Sequence, residues 1–120
     1  MTKEILQKRT KLFALRIVNL VESLPETKTG RAIGSQIIRS GTSIGANYRA
    51  ACRAKSTADF INKLKIVEEE ADETCYWLEL LIESHIIPEE KLKDLLKENN
   101  ELVAIFVSIL KTTKETKNKN

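Results

Sequence analysis

The sequence predicts an all-α fold, an antiparallel up-down-up-down four-helix bundle. Three observations carry this expectation. The 120-residue chain has two prolines and four glycines against many Leu, Ile, Lys, Glu and Ala, a composition that favours helices. Apolar residues recur at spacings of three, four and seven along four separate segments. The connections between these segments are short, which favours antiparallel neighbours. At this length the chain forms one domain, residues 1–112, followed by a polar tail, residues 113–120.

The first helix is expected from Lys3 to Ser23, with Leu6, Phe13, Ile17, Leu20 and Leu24 on its apolar side. "LPETKTG" then breaks the pattern through Pro25 and Gly30. The second helix runs from near residues 27–31 to about residue 55. The third opens at "STAD", where Ser56 is an N-cap and Asp59 sits at the positive helix end. Its apolar stripe is Phe60, Leu64, Val67, Ala71, Thr74, Leu78 and Leu81. Pro88, Glu89 and Glu90 open the fourth, where a missing N–H costs nothing and acids meet the dipole. Its apolar residues are Leu92, Leu95, Leu96, Leu102, Val103, Phe106 and Leu110. The tail "KTTKETKNKN" has no apolar residue and reads as disordered.

On a wheel of about 100° per residue, Ile33, Ile37, Ser40, Ile44, Tyr48 and Ala51 form the core stripe of the second helix. Gly34, Gly41, Gly45 and Cys52 share an adjoining strip. Glycine inside a helix costs about 0.5–1 kcal/mol relative to alanine, so several in one strip imply close approach of another backbone. That backbone is either another helix of the same chain or a second subunit, which makes Gly41 and Gly45 candidate interface positions. Asn47, at the edge of the stripe, is expected to hydrogen-bond with Ser40, Ser43 or a neighbouring helix and to help fix packing register.

Arg31, Arg39, Arg49 and Arg53 lie opposite the isoleucines, with Lys55 just beyond. Guanidinium groups suit forked hydrogen bonding to phosphate, so this is the candidate nucleic-acid face. The alternatives are a solvated helix face and salt bridges to the third helix. Charge is distributed to allow the latter. Residues 26–55 carry six basic and one acidic side chain, and residues 56–85 carry two basic and eight acidic ones.

The third helix has a second apolar strip, Ile66, Tyr76, Trp77 and Leu80, among Glu69, Glu73 and Glu83. A helix that packs on one side only has no use for a tryptophan on the other. Self-association explains it best, cover from the first or fourth helix being the alternative.

Catalytic chemistry has no signature. "EEEADE", residues 68–73, is rich in carboxylate, but a di-iron bundle wants Glu-x-x-His twice and the chain has one histidine, His85, expected as a dipole partner at a helix C-terminus. Phosphate-loop and triad motifs are missing. Neither an enzyme, a metal nor a cofactor is expected. Cys52 and Cys75 fit no ligand spacing and read as reduced packing residues of a cytoplasmic protein. The N-terminus reads as helix, not as an export signal, and no apolar run reaches the length of a membrane span.

Residues 43–81, "SIGANYRAACRAKSTADFINKLKIVEEEADETCYWLELL", resemble the signature of the bacterial four-helix bundle proteins encoded by intervening sequences in large-subunit ribosomal RNA genes. "LPETKTGRAIGSQIIRSGTSIG" and the pattern around Phe13 extend the likeness over all but the tail. The resemblance implies a ring-like homopentamer. A related branch, the accessory variability proteins of diversity-generating retroelements, binds nucleic acid and a reverse transcriptase through basic surface. Many members carry a glutamate after Asn-Tyr-Arg where this chain has Ala50, so that carboxylate's role is not transferred. The expectation is a non-catalytic module binding RNA or DNA, structured or ribosomal RNA foremost, through Arg31, Arg39, Arg49, Arg53 and Lys55, with basic residues of the first helix as helpers. The rival expectation is a multivalent scaffold that docks a partner protein.

Overall fold

The structure, a computed structural model, describes residues 1–119. Four helices follow one another: α1 (Lys3–Ser23), α2 (Lys28–Ala51), α3 (Thr57–Glu83) and α4 (Glu89–Lys119). Each packs against the next, and a thinner contact between α1 and α4 closes the antiparallel bundle. The whole measures 52 × 22 × 20 Å, as a bundle of helices this long requires.

Side-chain caps set the helix starts. The hydroxyl of Thr2 accepts from the N–H of Ile5 at 3.2 Å, and that of Thr27 accepts from the N–H of Gly30 at 3.0 Å. Ser56 accepts from the N–H of Asp59 at 3.1 Å, and the Asp59 carboxylate accepts from the N–H of Lys55 at 3.2 Å. Each such cap contributes about 1 kcal/mol.

The α3 cap explains a difference from the expected boundaries. Helix α2 stops at Ala51, not at residue 55. Ser56 must be extended to cap α3 (φ −156°, ψ 165°), and the chain prepares for this through tight turns, Arg53 N–H to Ala50 O and Ala54 N–H to Ala51 O, each 3.0 Å. Arg53 and Lys55 therefore belong to a turn. At the other end of α3, His85 adopts φ 61°. Its N–H bonds to Ile82 O at 3.0 Å and the N–H of Ile86 bonds to Leu81 O at 3.1 Å, the paired closure that normally employs glycine. His85 thus ends the helix by its own backbone.

The core follows the apolar stripes. Leu6, Phe13 and Ile17 of α1 meet Ile37, Ile44 and Tyr48 of α2, Leu64, Val67, Leu78 and Leu81 of α3, and Leu92, Leu102 and Phe106 of α4. Burial of such side chains stabilises the fold by about 1.5–3 kcal/mol each. The rings of Tyr48 and Phe106 pack with centroids 5.3 Å apart. On α3 the buried position is Ile61, and Phe60 is only half-buried.

Polar groups lie inside as well, Thr10 of α1 among them, its hydroxyl donating to Leu6 O at 3.0 Å. The hydroxyls of Ser40 and Thr74 are hydrogen-bonded at 2.9 Å across α2 and α3. Asn99 of α4 is fully buried and donates from Nδ2 to Ala71 O at 3.0 Å, while its Oδ1 has no hydrogen-bond partner. The thinner α1–α4 contact is fastened by Arg9, whose guanidinium holds Glu98 at 2.7 and 2.6 Å.

The polar tail departs from expectation, because α4 continues through it to Lys119. Lys, Glu and Thr without glycine or proline offer nothing to stop a helix already nucleated on a packed stem. Residue 120, the last of the expected disordered segment, lies outside the described residues.

Candidate nucleic-acid interface

The basic residues of α2 separate into three environments. Arg39 points to the α3 flank, where Nη1 reaches Glu70 Oε2 at 3.0 Å and Nη2 pairs with Glu73. Glu73 also accepts from the indole N–H of Trp77 at 3.1 Å, and that bond, with Arg39 behind it, holds its carboxyl below the usual glutamate range. Arg39 is thereby committed inside the chain, the salt-bridge alternative for these arginines. Arg31 sits in the first turns of α2 and donates to Glu26 O at 2.9 Å. Eighteen residues separate it from Arg49, about 27 Å along the helix. It does not join the others.

Arg49 and Arg53 turn to the α1 flank. There they line a groove of about 660 Å³ together with Lys8 and Lys11 of α1. Gln7, Ala14, Thr42, Gly45, Ala46 and Glu4 complete it. Among the described residues, Lys8, Lys11, Arg49 and Arg53 have no carboxylate partner within 4.0 Å, unlike Arg9 and Arg39. Lys55 lies across the turn in a neighbouring depression with Lys3, Cys52 and Phe60. The expected set of five thus resolves into Arg49 and Arg53 at one groove, Lys55 beside it, and Arg31 and Arg39 elsewhere.

The sequence offers the basic residues of the first helix only collectively, as helpers, without singling out Lys8 and Lys11. Their spacing on the outer side of the first helix was visible, but nothing in the sequence said which flank of the second helix that side would meet.

The glycine strip lies beside the groove, and of its two readings the contact with another helix of the same chain is present. Gly41 is buried against α1, where a Cβ would lie 2.8 Å from Cγ1 of Ile17. At Gly45 a Cβ would lie 3.2 Å from Oγ1 of Thr10. The close approach is within one chain, and Gly45 also lines the groove.

The other predicted positions divide similarly. Ile66 and Tyr76 are exposed, at 43% and 58%, whereas Trp77 and Leu80 are half-buried against the core. Tyr76 stands edge-on to Trp77 with centroids 5.1 Å apart. Ser40 bridges helices as described. Ser43 and Asn47 bond within α2, to Arg39 O at 2.5 Å and Ser43 O at 2.8 Å. The carboxylates of residues 68–73 are distributed around α3, and no group of three potential ligands gathers among the described residues. Burial, with Glu79 and Asp72 nearby, pushes the Cys75 thiol up to about 12, so it stays protonated at neutral pH. No helix among the described residues is long and apolar enough to cross a membrane.

The family model described as 23S rRNA-intervening sequence protein matches residues 2–108. A crystal structure of a protein of unknown function, from the S23 ribosomal protein family of Bacteroides thetaiotaomicron VPI-5482, is 44% identical to this chain. It superposes with a TM-score of 0.85, over 92% of this chain and 99% of that one. Among curated proteins none matches.

Proposed function

This chain belongs to the 23S rRNA-intervening sequence protein family, and from that premise we propose a non-catalytic, cytoplasmic bundle that binds nucleic acid, structured or ribosomal RNA foremost. The observation that carries the proposal is the set of four cations, Lys8, Lys11, Arg49 and Arg53, on one groove without internal partners. Elsewhere Arg9, Arg39 and Lys63 are paired with carboxylates, at little energetic gain near the surface, and it is the clustering of four unpaired cations on one groove that sets this place apart. Four left together are available to phosphate, and neutralising phosphates releases condensed counterions. Self-association, by resemblance into a pentamer, would repeat the groove around a ring and multiply its effective affinity. Arg31 and Arg39 play a minor part in this reading.

A second reading is carried by a different surface. Ile66 and Tyr76 on α3, and Ile5, Leu12 and Leu15 on α1, are all more than 40% exposed. Apolar positions of this kind suit a scaffold that docks a protein. The two readings separate in a titration of labelled structured RNA followed by fluorescence anisotropy over a salt series. Nucleic-acid binding predicts a steep salt dependence that disappears when Arg49 and Arg53 become glutamate. No binding by the unaltered protein at low salt would rule it out in favour of the scaffold.

A further inference from the structure

We infer that the groove between α1 and α2 grips an unpaired strand by its sugar–phosphate backbone, with the bases facing outward. The inference rests on the nucleic-acid reading and narrows it to a strand state and a mode of grip.

The walls and floor differ in chemistry. Lys8 and Lys11 stand on the α1 side, Arg49 and Arg53 on the α2 side, and Ala14, Gly45 and Ala46 leave the space between them empty. A groove of about 660 Å³ is of small-molecule size, within the ~300–1,000 Å³ usual for ligand pockets. Helices α1 and α2 are packed neighbours, so the groove is a furrow on the surface where they meet, and its volume suits one phosphodiester chain. A duplex is a rigid cylinder whose major groove alone is about 12 Å wide, and it would touch only the rim.

The lining holds no aromatic side chain on which a base could stack. Recognition therefore falls on phosphate, through ammonium groups from one side and forked guanidinium groups from the other. Glu4 also lines the groove and repels phosphate at its own position, which confines the strand to the stretch between the four cations. Two consequences follow. Affinity should be nearly independent of base identity. With all four cations engaged, the logarithmic salt slope should be about −3, from ~0.7 counterions per phosphate of a single strand.

Ala46 provides the decisive test, because it is exposed, lines the groove and carries no charge. Ala46→Leu fills the space without altering any cation, and Ala46→Gln does so with a polar side chain. Anisotropy would be measured with fluorescein-labelled 12-nucleotide oligouridylate and oligoadenylate and a 12-base-pair RNA duplex, with helicity checked by circular dichroism. The expected result is single-strand binding at least tenfold tighter than duplex binding, with the two homopolymers within threefold. Both Ala46 variants should weaken the strand at least tenfold while helicity is retained. Equal or tighter duplex binding, or strand binding indifferent to both plugs, overturns the groove inference. If charge reversal at Arg49 and Arg53 still abolishes binding in that case, the broader nucleic-acid reading survives it. Failure of every probe to bind the unaltered protein at low salt removes both.

Discussion

The two flanks of α2 carry the same kinds of residue to opposite ends. On the α3 flank, Arg39 is held by Glu70 and Glu73, and Ser40 bonds to Thr74, so polar groups there join two helices. On the α1 flank, glycines bring the backbones together, and Arg49 and Arg53 open onto a groove shared with two lysines. Ten residues separate Arg39 from Arg49, which at about 100° each leaves them only about 80° apart around the helix. That small rotation divides an internal clamp from a surface able to meet a ligand. Net charge alone would have treated the two as equivalent.

Charge reversal should separate the flanks most widely. Changing Lys8, Lys11, Arg49 and Arg53 to glutamate should reduce RNA affinity by more than about 100-fold, since the electrostatic contribution to binding is lost and inverted. Arg39→Glu should change it less than about threefold, while disturbing α3 through its two acids. Anisotropy at fixed salt checks both; comparable losses from the two variants would collapse the distinction between the flanks.

Steric substitutions come next. Gly41→Ala places a methyl group 2.8 Å from Ile17 Cγ1 and should destabilise the bundle by about 1–3 kcal/mol, more than offsetting alanine's better helix propensity. Gly45→Ala meets Thr10 Oγ1 at 3.2 Å beside the open groove and should stay within about 0.5 kcal/mol of neutral. Urea unfolding midpoints of the two variants would show whether the close approach tightens toward the centre of α2.

On the α3 side of the bundle, Asn99→Leu should raise stability by about 1 kcal/mol, because it removes a buried oxygen without a partner. Thermal denaturation would register it, and a loss of stability would mean that Asn99 is better satisfied than its Oδ1 implies.

The smallest effect is confined to the clamp. Glu73 is held below the ordinary range, so its contribution is fully present above the usual glutamate pKa of about 4.3 and is lost as pH falls through its depressed value. Trp77 donates to this carboxylate and reports on it directly. Its fluorescence should change only as pH falls below the ordinary glutamate range, with the transition moved upward in Arg39→Ala. An unchanged transition in that variant would mean that the indole alone sets the acidity of Glu73.

Much of this is legible in the sequence. The caps at Ser56 and Asp59, the break at Pro25 and the stripe from Ile33 to Ala51 follow from local rules, since each uses residues within one or two turns of each other. Asn99 escaped notice although it occupies a core slot between Leu95 and Leu102, because a polar residue in an apolar stripe is easily taken for an exposed one. The end of α2 is likewise hidden in the sequence. Cys52 to Lys55 carry no breaker, and only the demand of the next helix for an extended Ser56 stops the one before it.

By itself the sequence determined four amphipathic helices, their caps, their antiparallel order and the residue types on each face. Those are matters of period and short-range hydrogen bonding. Tertiary structure decided which flank of α2 met which neighbour. A bundle can turn left or right around the same buried stripe, and the two hands exchange the neighbours of every flank while burying much the same apolar area. Side-chain fit selects between them: glycines of α2 against Ile17 and Thr10, Ser40 against Thr74, Arg39 against the acids of α3. Once that hand was set, Arg39 had partners and Arg49 and Arg53 had a groove.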